Sequence, residues 1–256
     1  MKILLSNDDG IHATGLKILY NILTELKHEV LIVAPEQQYS GASHSMTLNI
    51  PLIPKQVYLK GKFFGIAING TPADSVKIGL DSIYSDIDLV VTGINLGHNA
   101  GPSIFYSGTV GAAFEGSAIK KTAIAFSYNS FKENDLDGLQ EKLFPYMNTI
   151  LQNCQEKILY NVNIPCTPTI KGIEITRQFQ GFFADQFVER EDPRHKKYYW
   201  LKDVSYTSEE IPALGKGYRN DLEVLEDGYI SLTPLQFDLT DYSRLEKLKT
   251  QFTQNS

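Results

Sequence analysis

Two adjacent aspartates close the first apolar run of this chain, in Asn7-Asp8-Asp9-Gly10. Three more polar turns follow later runs: Tyr39-Ser40-Gly41, Gly93-Ile94-Asn95-Leu96-Gly97 and Tyr106-Ser107-Gly108-Thr109-Val110-Gly111. Side chains alternate faces along a strand, so Asp8 and Asp9 can meet at one point only where the strand has ended. Gly10 eases that turn, because glycine tolerates positive φ. Two carboxylates about 4 Å apart repel by roughly 4 kcal/mol at an effective dielectric near 20, and a divalent cation between them reverses the sign. Ser40 and Asn95 would add neutral oxygens. Asp8, Asp9, Ser40 and Asn95 then form an all-oxygen set, which suits one hard ion, Mg²⁺ or Mn²⁺, better than zinc and leaves octahedral positions for water and substrate.

Ser107-Gly108-Thr109 places small residues and hydroxyls at the entrance of a helical segment, where free amides and the helix dipole favour an anion such as phosphate. The lysine of a Walker loop is absent, and the first turn lacks G-x-G-x-x-G. A cation facing a phosphate cradle is the layout of a phosphoester hydrolase. Taken singly, each turn also has an ordinary structural reading. Asp8 or Asp9 can start a helix, Ser40 can serve a turn, Asn95 can cap a loop, and Ser107 or Thr109 can cap a helix with glycines for close packing. His98 lies three residues beyond Asn95, but spacing alone identifies no general acid.

The elements that must position these turns read as alternating strands and helices. Lys2–Ser6 is a buried strand, and Gly15–Leu26 carries Leu16, Leu19, Ile22, Leu23 and Leu26 at helical spacing before a strand at Glu29–Ala34. A pair of strands is expected around Met46–Ile50 and Phe64–Ile68, and a helix starting at Thr71 with Pro72 in its first turn. Asp88–Ile94 and Thr122–Ser127 read as strands around a small-residue helix at Gly108–Lys120. Then come a helix at Leu136–Gln152, strands at Lys157–Ile164 and Gly172–Gln178, a short helix at Tyr218–Glu226, a strand at Tyr229–Pro234 and a polar terminal helix at Asp241–Gln251. The expected fold class is α/β: a Rossmann-like, doubly wound, mostly parallel sheet, in which loops leaving the carboxyl ends of strands converge on one crevice. Between Gln180 and Leu214 the pattern weakens. Tyr198-Tyr199-Trp200-Leu201 suggests an exposed hairpin that needs a partner to cover it.

At 256 residues the chain is expected to be a single α/β domain over 1–256, with a core and metal site in 1–130 and the remaining core elements plus an oligomerisation extension in 131–256. A net charge of −6 leaves no basic field for a nucleic-acid polymer. The N-terminus runs into two acids in place of a signal sequence, and no stretch approaches the roughly 20 apolar residues of a membrane span. A cytoplasmic protein is expected, with Cys154 and Cys166 as free thiols.

In chain order, Asn7-Asp8-Asp9-Gly10-Ile11, Ala34-Pro35, Ser40-Gly41-Ala42-Ser43, Gly70-Thr71-Pro72-Ala73-Asp74, Gly93-Ile94-Asn95 with Gly97 and Asn99, Tyr106 to Ala113, and Tyr229 with Thr233-Pro234-Leu235 closely resemble the SurE (survival protein E) family of stationary-phase nucleotidases. The resemblance spans residues 1 to about 240. It implies a metal-dependent phosphatase of nucleoside 5′-monophosphates, with 3′-monophosphates and short polyphosphate as further candidate substrates. It also implies a C-terminal part exchanged between subunits of a homodimer or homotetramer. By the same resemblance Asp8, Asp9, Ser40 and Asn95 are the metal ligands, with Asp8, Asp9 and Asn95 catalytic, and Asn7, Gly41, Ser107, Gly108 and Thr109 lie by the phosphate. The chain departs from its relatives at Tyr39, where arginine is frequent, and within Pro102-Ser103-Ile104-Phe105, where relatives often carry an acid.

Two other readings compete. An aspartyl-phosphate phosphatase uses a first-strand aspartate as nucleophile, but such families space their acids D-x-D. A non-catalytic nucleotide-binding module needs a cradle and no paired acids.

Overall fold

In the computed structural model, which describes residues 1–181, 186–203 and 217–253, Ile3 and Leu5 point to one face of a central strand and Leu4 to the other. Both faces are buried, as a parallel strand between two helical layers requires. This strand, β1 (Lys2–Ser6), is followed by α1 (Thr14–Glu25) and β2 (Glu29–Pro35). Next come an antiparallel pair, β3 (Pro54–Leu59) and β4 (Lys62–Ile68), then α2 (Pro72–Ile78), β5 (Leu89–Leu96), α3 (Gly108–Ala118), β6 (Thr122–Tyr128), α4 (Leu139–Asn153) and β7 (Leu159–Ile164). The rest comprises β8 (Ile173–Ile175), β9 (Gln186–Glu191), β10 (Lys197–Asp203), α5 (Asp221–Glu226), β11 (Ile230–Leu235) and α6 (Tyr242–Thr253).

The main sheet has the order β3-β4-β2-β1-β5-β6-β7-β11-β8 and is parallel from β4 to β7. Leu16, Leu19, Ile22 and Leu23 of α1 and Leu143, Met147 and Ile150 of α4 join the core on one face. Val76 of α2 and Val110, Ala112 and Ala113 of α3 close the other. The small residues let α3 lie close: a Cβ at Gly116 would stand 2.7 Å from the Val90 side chain. The α/β, doubly wound reading therefore holds. The chain leaves β1 toward β2 on one side and later returns to β5 on the other, so strand order reverses at β1, and a crevice opens beyond the carboxyl ends of β1 and β5.

Several boundaries differ from the sequence reading. Met46–Ile50 is not a strand; β4 pairs with β3 across Lys60-Gly61, both at positive φ as a tight hairpin turn requires. The alternation Met46, Leu48, Ile50 misleads because all three side chains are exposed and the Thr47 amide donates to Asp74 instead of to a ladder. The expected strand at Gly172–Gln178 shortens to β8, and the helix expected at Tyr218–Glu226 begins only at Asp221, where Asn220 and Glu223 form a capping box. β9 and β10 form the expected hairpin, with Phe187, Tyr199 and Trp200 exposed. Residues 182–185 and 204–214 of the weakly patterned stretch lie outside the described residues. α6 buries none of its side chains. Among the described residues no helix is long and apolar enough to cross a membrane.

Candidate active site

At the end of β1 the chain turns sharply: the Asn7 side-chain amide donates to the Gly10 carbonyl at 2.9 Å, and Gly10 has a φ of +96°. The Tyr39 amide, just beyond β2, donates to the Asp8 carbonyl at 2.8 Å, which ties the second polar turn to the first. Asn7 and Asp8 are buried, and Asn7 Oδ1 has no hydrogen-bond partner. An orphaned buried acceptor is rare enough in a native fold to require an explanation, and a bound ligand is one.

The first turn of α3 presses on Asp8. The Thr109 hydroxyl donates to Asp8 Oδ1, and a Cβ at Gly108 would come 2.9 Å from that of Asp8, so only glycine allows the helix so near. The Thr109 carbonyl in turn accepts from the Thr92 hydroxyl of β5 at 2.8 Å. Burial pushes the Asp8 carboxyl up to about 7, with the Thr109 hydroxyl opposing and the Asp9 charge adding to the rise. Asp9 is raised as well, chiefly by burial, against hydrogen bonds from the Leu96 backbone and the Gln38 side chain.

Gln38 joins two of the expected ligands: its Nε2 lies 3.1 Å from Asp9 Oδ1 and 2.9 Å from Ser40 Oγ. The sequence reading missed it, since a glutamine in a polar loop carries no signal. On β5, a register shift against β6 between Thr92 and Asn95, with Gly93 at positive φ, re-aims the strand end. There the Asn95 amide nitrogen donates to the Gly97 carbonyl at 2.7 Å, leaving its oxygen for another partner. Thus Thr109 reaches Asp8 directly, Ser40 meets Asp9 through Gln38, and the neighbour of Asn95 meets Asp9 through its backbone; no hydrogen bond links Asn95 itself to either acid. Ser107 caps α3 by accepting from the Val110 amide at 3.0 Å. Gly41 is exposed at φ +71° with open space around it.

Among the described residues no Lys, Arg or His pairs with Asp8 or Asp9, and no three His, Cys, Asp or Glu side chains gather as a metal group. The donor set is therefore two uncompensated carboxylates beside neutral oxygens and the orphaned Asn7 Oδ1, which fits a single hard cation.

A model of the survival protein SurE family matches residues 3–185. This chain belongs to the SurE family. It is 42% identical over 255 residues to the 5′-nucleotidase SurE of Petrotoga mobilis, covering 98% of each chain. With the 5′-nucleotidase SurE of Syntrophus aciditrophicus it shares 39% identity over 97% of this chain and 93% of the relative. The crystal structure of the SurE protein from Aquifex aeolicus superimposes with a TM-score of 0.79 at 32% identity, covering 98% and 99% of the two chains.

Other SurE-like motifs of the sequence are structural supports. Asp74 of Gly70-Thr71-Pro72-Ala73-Asp74 closes a capping box with Thr71 at the head of α2. Asn99 anchors its loop to the sheet: its amide donates to Asn163, its side chain to Ser127, and its carbonyl accepts from Asn161. Asp221 accepts the Gly101 and Phe179 amides, each at 2.9 Å. His98 Nδ1 is 2.8 Å from Asn129 Oδ1, and burial lowers its pKa against that bond. Cys154 is buried and Cys166 exposed, both unbridged.

Proposed function

We propose that this chain is a 5′-nucleotidase that hydrolyses nucleoside 5′-monophosphates to nucleoside and phosphate, using one divalent cation, Mg²⁺ or Mn²⁺. The name shared by relatives aligned over nearly the whole chain supports the activity. The observation that carries the site is buried Asp8, pressed against the first turn of α3, beside half-buried Asp9, with no Lys, Arg or His paired to either among the described residues.

Asp8, Asp9, Ser40 and Asn95 would hold the ion, with Gln38 fixing Asp9 and Ser40 relative to one another. When bound, such an ion polarises a phosphoryl oxygen and lowers the pKa of an attacking water. The chain supplies the rest. The Thr109 amide already bonds the Asp8 carboxylate, so the Gly108 amide and the positive end of α3 bind and orient the phosphate and oppose its growing negative charge. The Ser107 hydroxyl accepts from Val110 and keeps its own proton for a phosphate oxygen. Gly41 leaves the entrance open, and Asn7 Oδ1 takes a proton-bearing partner from the bound substrate or water.

Exposed apolar side chains on the hairpin (Phe187, Tyr199, Trp200) and on α6 (Leu245, Leu248, Phe252) support a homodimer or homotetramer. One domain over 1–256 is supported by a single sheet that joins β1 to β8 with β11, and the unbridged cysteines suit a reducing, cytoplasmic setting.

The deciding experiment is a phosphate-release screen crossing a nucleotide panel with Mg²⁺, Mn²⁺ and other divalent ions against an EDTA blank. Release from 5′-monophosphates that stops in EDTA is expected. Nucleotide binding at full strength in EDTA, with no release on adding either ion, would favour the binding-module reading and overturn this one.

A further inference from the structure

Beside the first turn of α3, on the side away from any residue assigned so far except Ser107, lies a cavity of about 220 Å³. Its walls include Ser43, His44, Phe105, Phe114 and Phe237, brought in by four segments: the loop after β2, the turn before α3, α3 itself and the tail after β11. That volume is below the roughly 300–1,000 Å³ that encloses a drug-sized ligand, so it suits one ring system with its sugar better than a whole nucleotide.

The walls are aromatic and braced. His44 stacks on Phe114, centroids 6.1 Å apart and planes at 23°, and Phe237 meets both edge-on, at 6.2 Å from His44 and 5.4 Å from Phe114. Glu115 holds His44: Nε2 donates to Glu115 Oε1 at 2.8 Å, while Lys77 holds the other carboxylate oxygen at 3.1 Å. With Nε2 so engaged, Nδ1 is the ring nitrogen left for a ligand. Gly111 lets the loop sit against α3; a Cβ there would meet the Ser43 carbonyl at 2.6 Å. Phe105 and Phe237 are nonetheless 54% and 59% exposed, so aromatic faces at the rim stand uncovered.

Continuity decides the occupant. Ser107 lines the cavity, and the next residue, Gly108, touches Asp8, so the two spaces share one peptide at the helix entrance. We infer that this cavity is the nucleoside subsite: it takes the base and sugar of the monophosphate whose phosphate lies at Ser107-Gly108-Thr109, with Phe237 and His44 as its stacking surfaces. The inference rests on the nucleotidase reading for its substrate, and Phe237 is its specificity-determining residue.

The test uses the full chain and the phosphate-free probe adenosine. Calorimetry is expected to show adenosine binding that weakens about tenfold or more in Phe237→Ala, the loss of one stacking face, and recovers in Phe237→Tyr, which keeps the ring. In parallel, the ratio of kcat/KM for adenosine 5′-monophosphate to that for ribose 5-phosphate is expected to fall by a similar factor in Phe237→Ala. Adenosine binding that is absent in the parent, or equal in parent and Phe237→Ala, would overturn the subsite. So would a loss shared equally by the two phosphate esters. Adenosine binding with the expected pattern, but no phosphate released with any divalent ion, would keep the subsite and overturn the nucleotidase instead.

Discussion

Asp8, just beyond β1, and Asp221, at the head of α5, are both buried, and they are treated in different ways. Asp221 receives a backbone amide on each oxygen, from Phe179 and Gly101, and burial still lifts its carboxyl to about 6. Asp8 receives the Thr109 hydroxyl and nearby backbone amides, but it has a second acid beside it and rises further, to about 7. Asp221 is a strut: its charge is matched by the loops it holds. Asp8 differs: its surroundings raise the energy of a charge that no Lys, Arg or His among the described residues pairs with. The like-charged neighbour thus separates the carboxylate that builds the fold from the one proposed to hold the cation.

The largest expected effect would break this contrast in function. Asp9→Asn and Asp8→Asn should each lower kcat by at least about 10²-fold while the protein stays folded, the scale of losing one preorganised electrostatic contact. Unchanged turnover in Asp9→Asn would remove the cation from the mechanism. Metal-free Asp8→Asn should also melt higher than the parent at pH 8, since a buried charge has gone.

The pH dependence sharpens the same point. An acid whose folded pKa lies above its unfolded value binds more protons folded than unfolded, so stability falls as pH rises from about 4. The decline should end near pH 6 for Asp221 and near pH 7 for Asp8, whose shift from 3.8 to about 7 corresponds to a loss on the order of 4 kcal/mol. Thermal melts in EDTA from pH 4 to 8 should show it, with the segment between pH 6 and 7 flattened in Asp8→Asn. A midpoint that climbs across this range would contradict both assignments.

Asp221→Asn should act in the other direction from Asp8→Asn. It turns an amide NH₂ toward a backbone N–H and leaves a buried donor unmatched, at about 1–3 kcal/mol, a drop of several degrees in Tm. Smallest are the helix caps beside the two aspartates. Ser107→Ala at α3 and Asn220→Ala at α5 should each cost about 1 kcal/mol in denaturant titrations, but only Ser107→Ala should also raise KM for the nucleotide. Equal kinetic effects from both caps would mean that Ser107 acts through stability alone.

The sequence reading of the central layer was sound because buried parallel strands and core-facing helices leave strong apolar periods: β1, α1, β2, β5, α3 and β6 lie where Leu, Ile, Val and Ala spacing puts them. It failed at Met46–Ile50, where alternating apolar residues are exposed, and at Gly172–Gln178, where an edge strand is cut short. Period reports burial only if the face is in fact buried. Gln38 was invisible for a similar reason, since its place between Asp9 and Ser40 depends on how two loops 29 residues apart fold back together.

By itself, then, the sequence determined the strand-and-helix alternation, the polar turns at the strand ends and the residue types able to hold an ion or a phosphate, because these depend on local pattern and on side-chain chemistry. Only the tertiary structure decided that α3 lies close enough to desolvate Asp8, that Asn7 keeps an unmatched oxygen, and that Asp221 and Asn99 are supports. Burial and hydrogen-bond pairing are set by segments distant in the chain, such as Thr109 on Asp8 across 101 positions, and no local pattern encodes them.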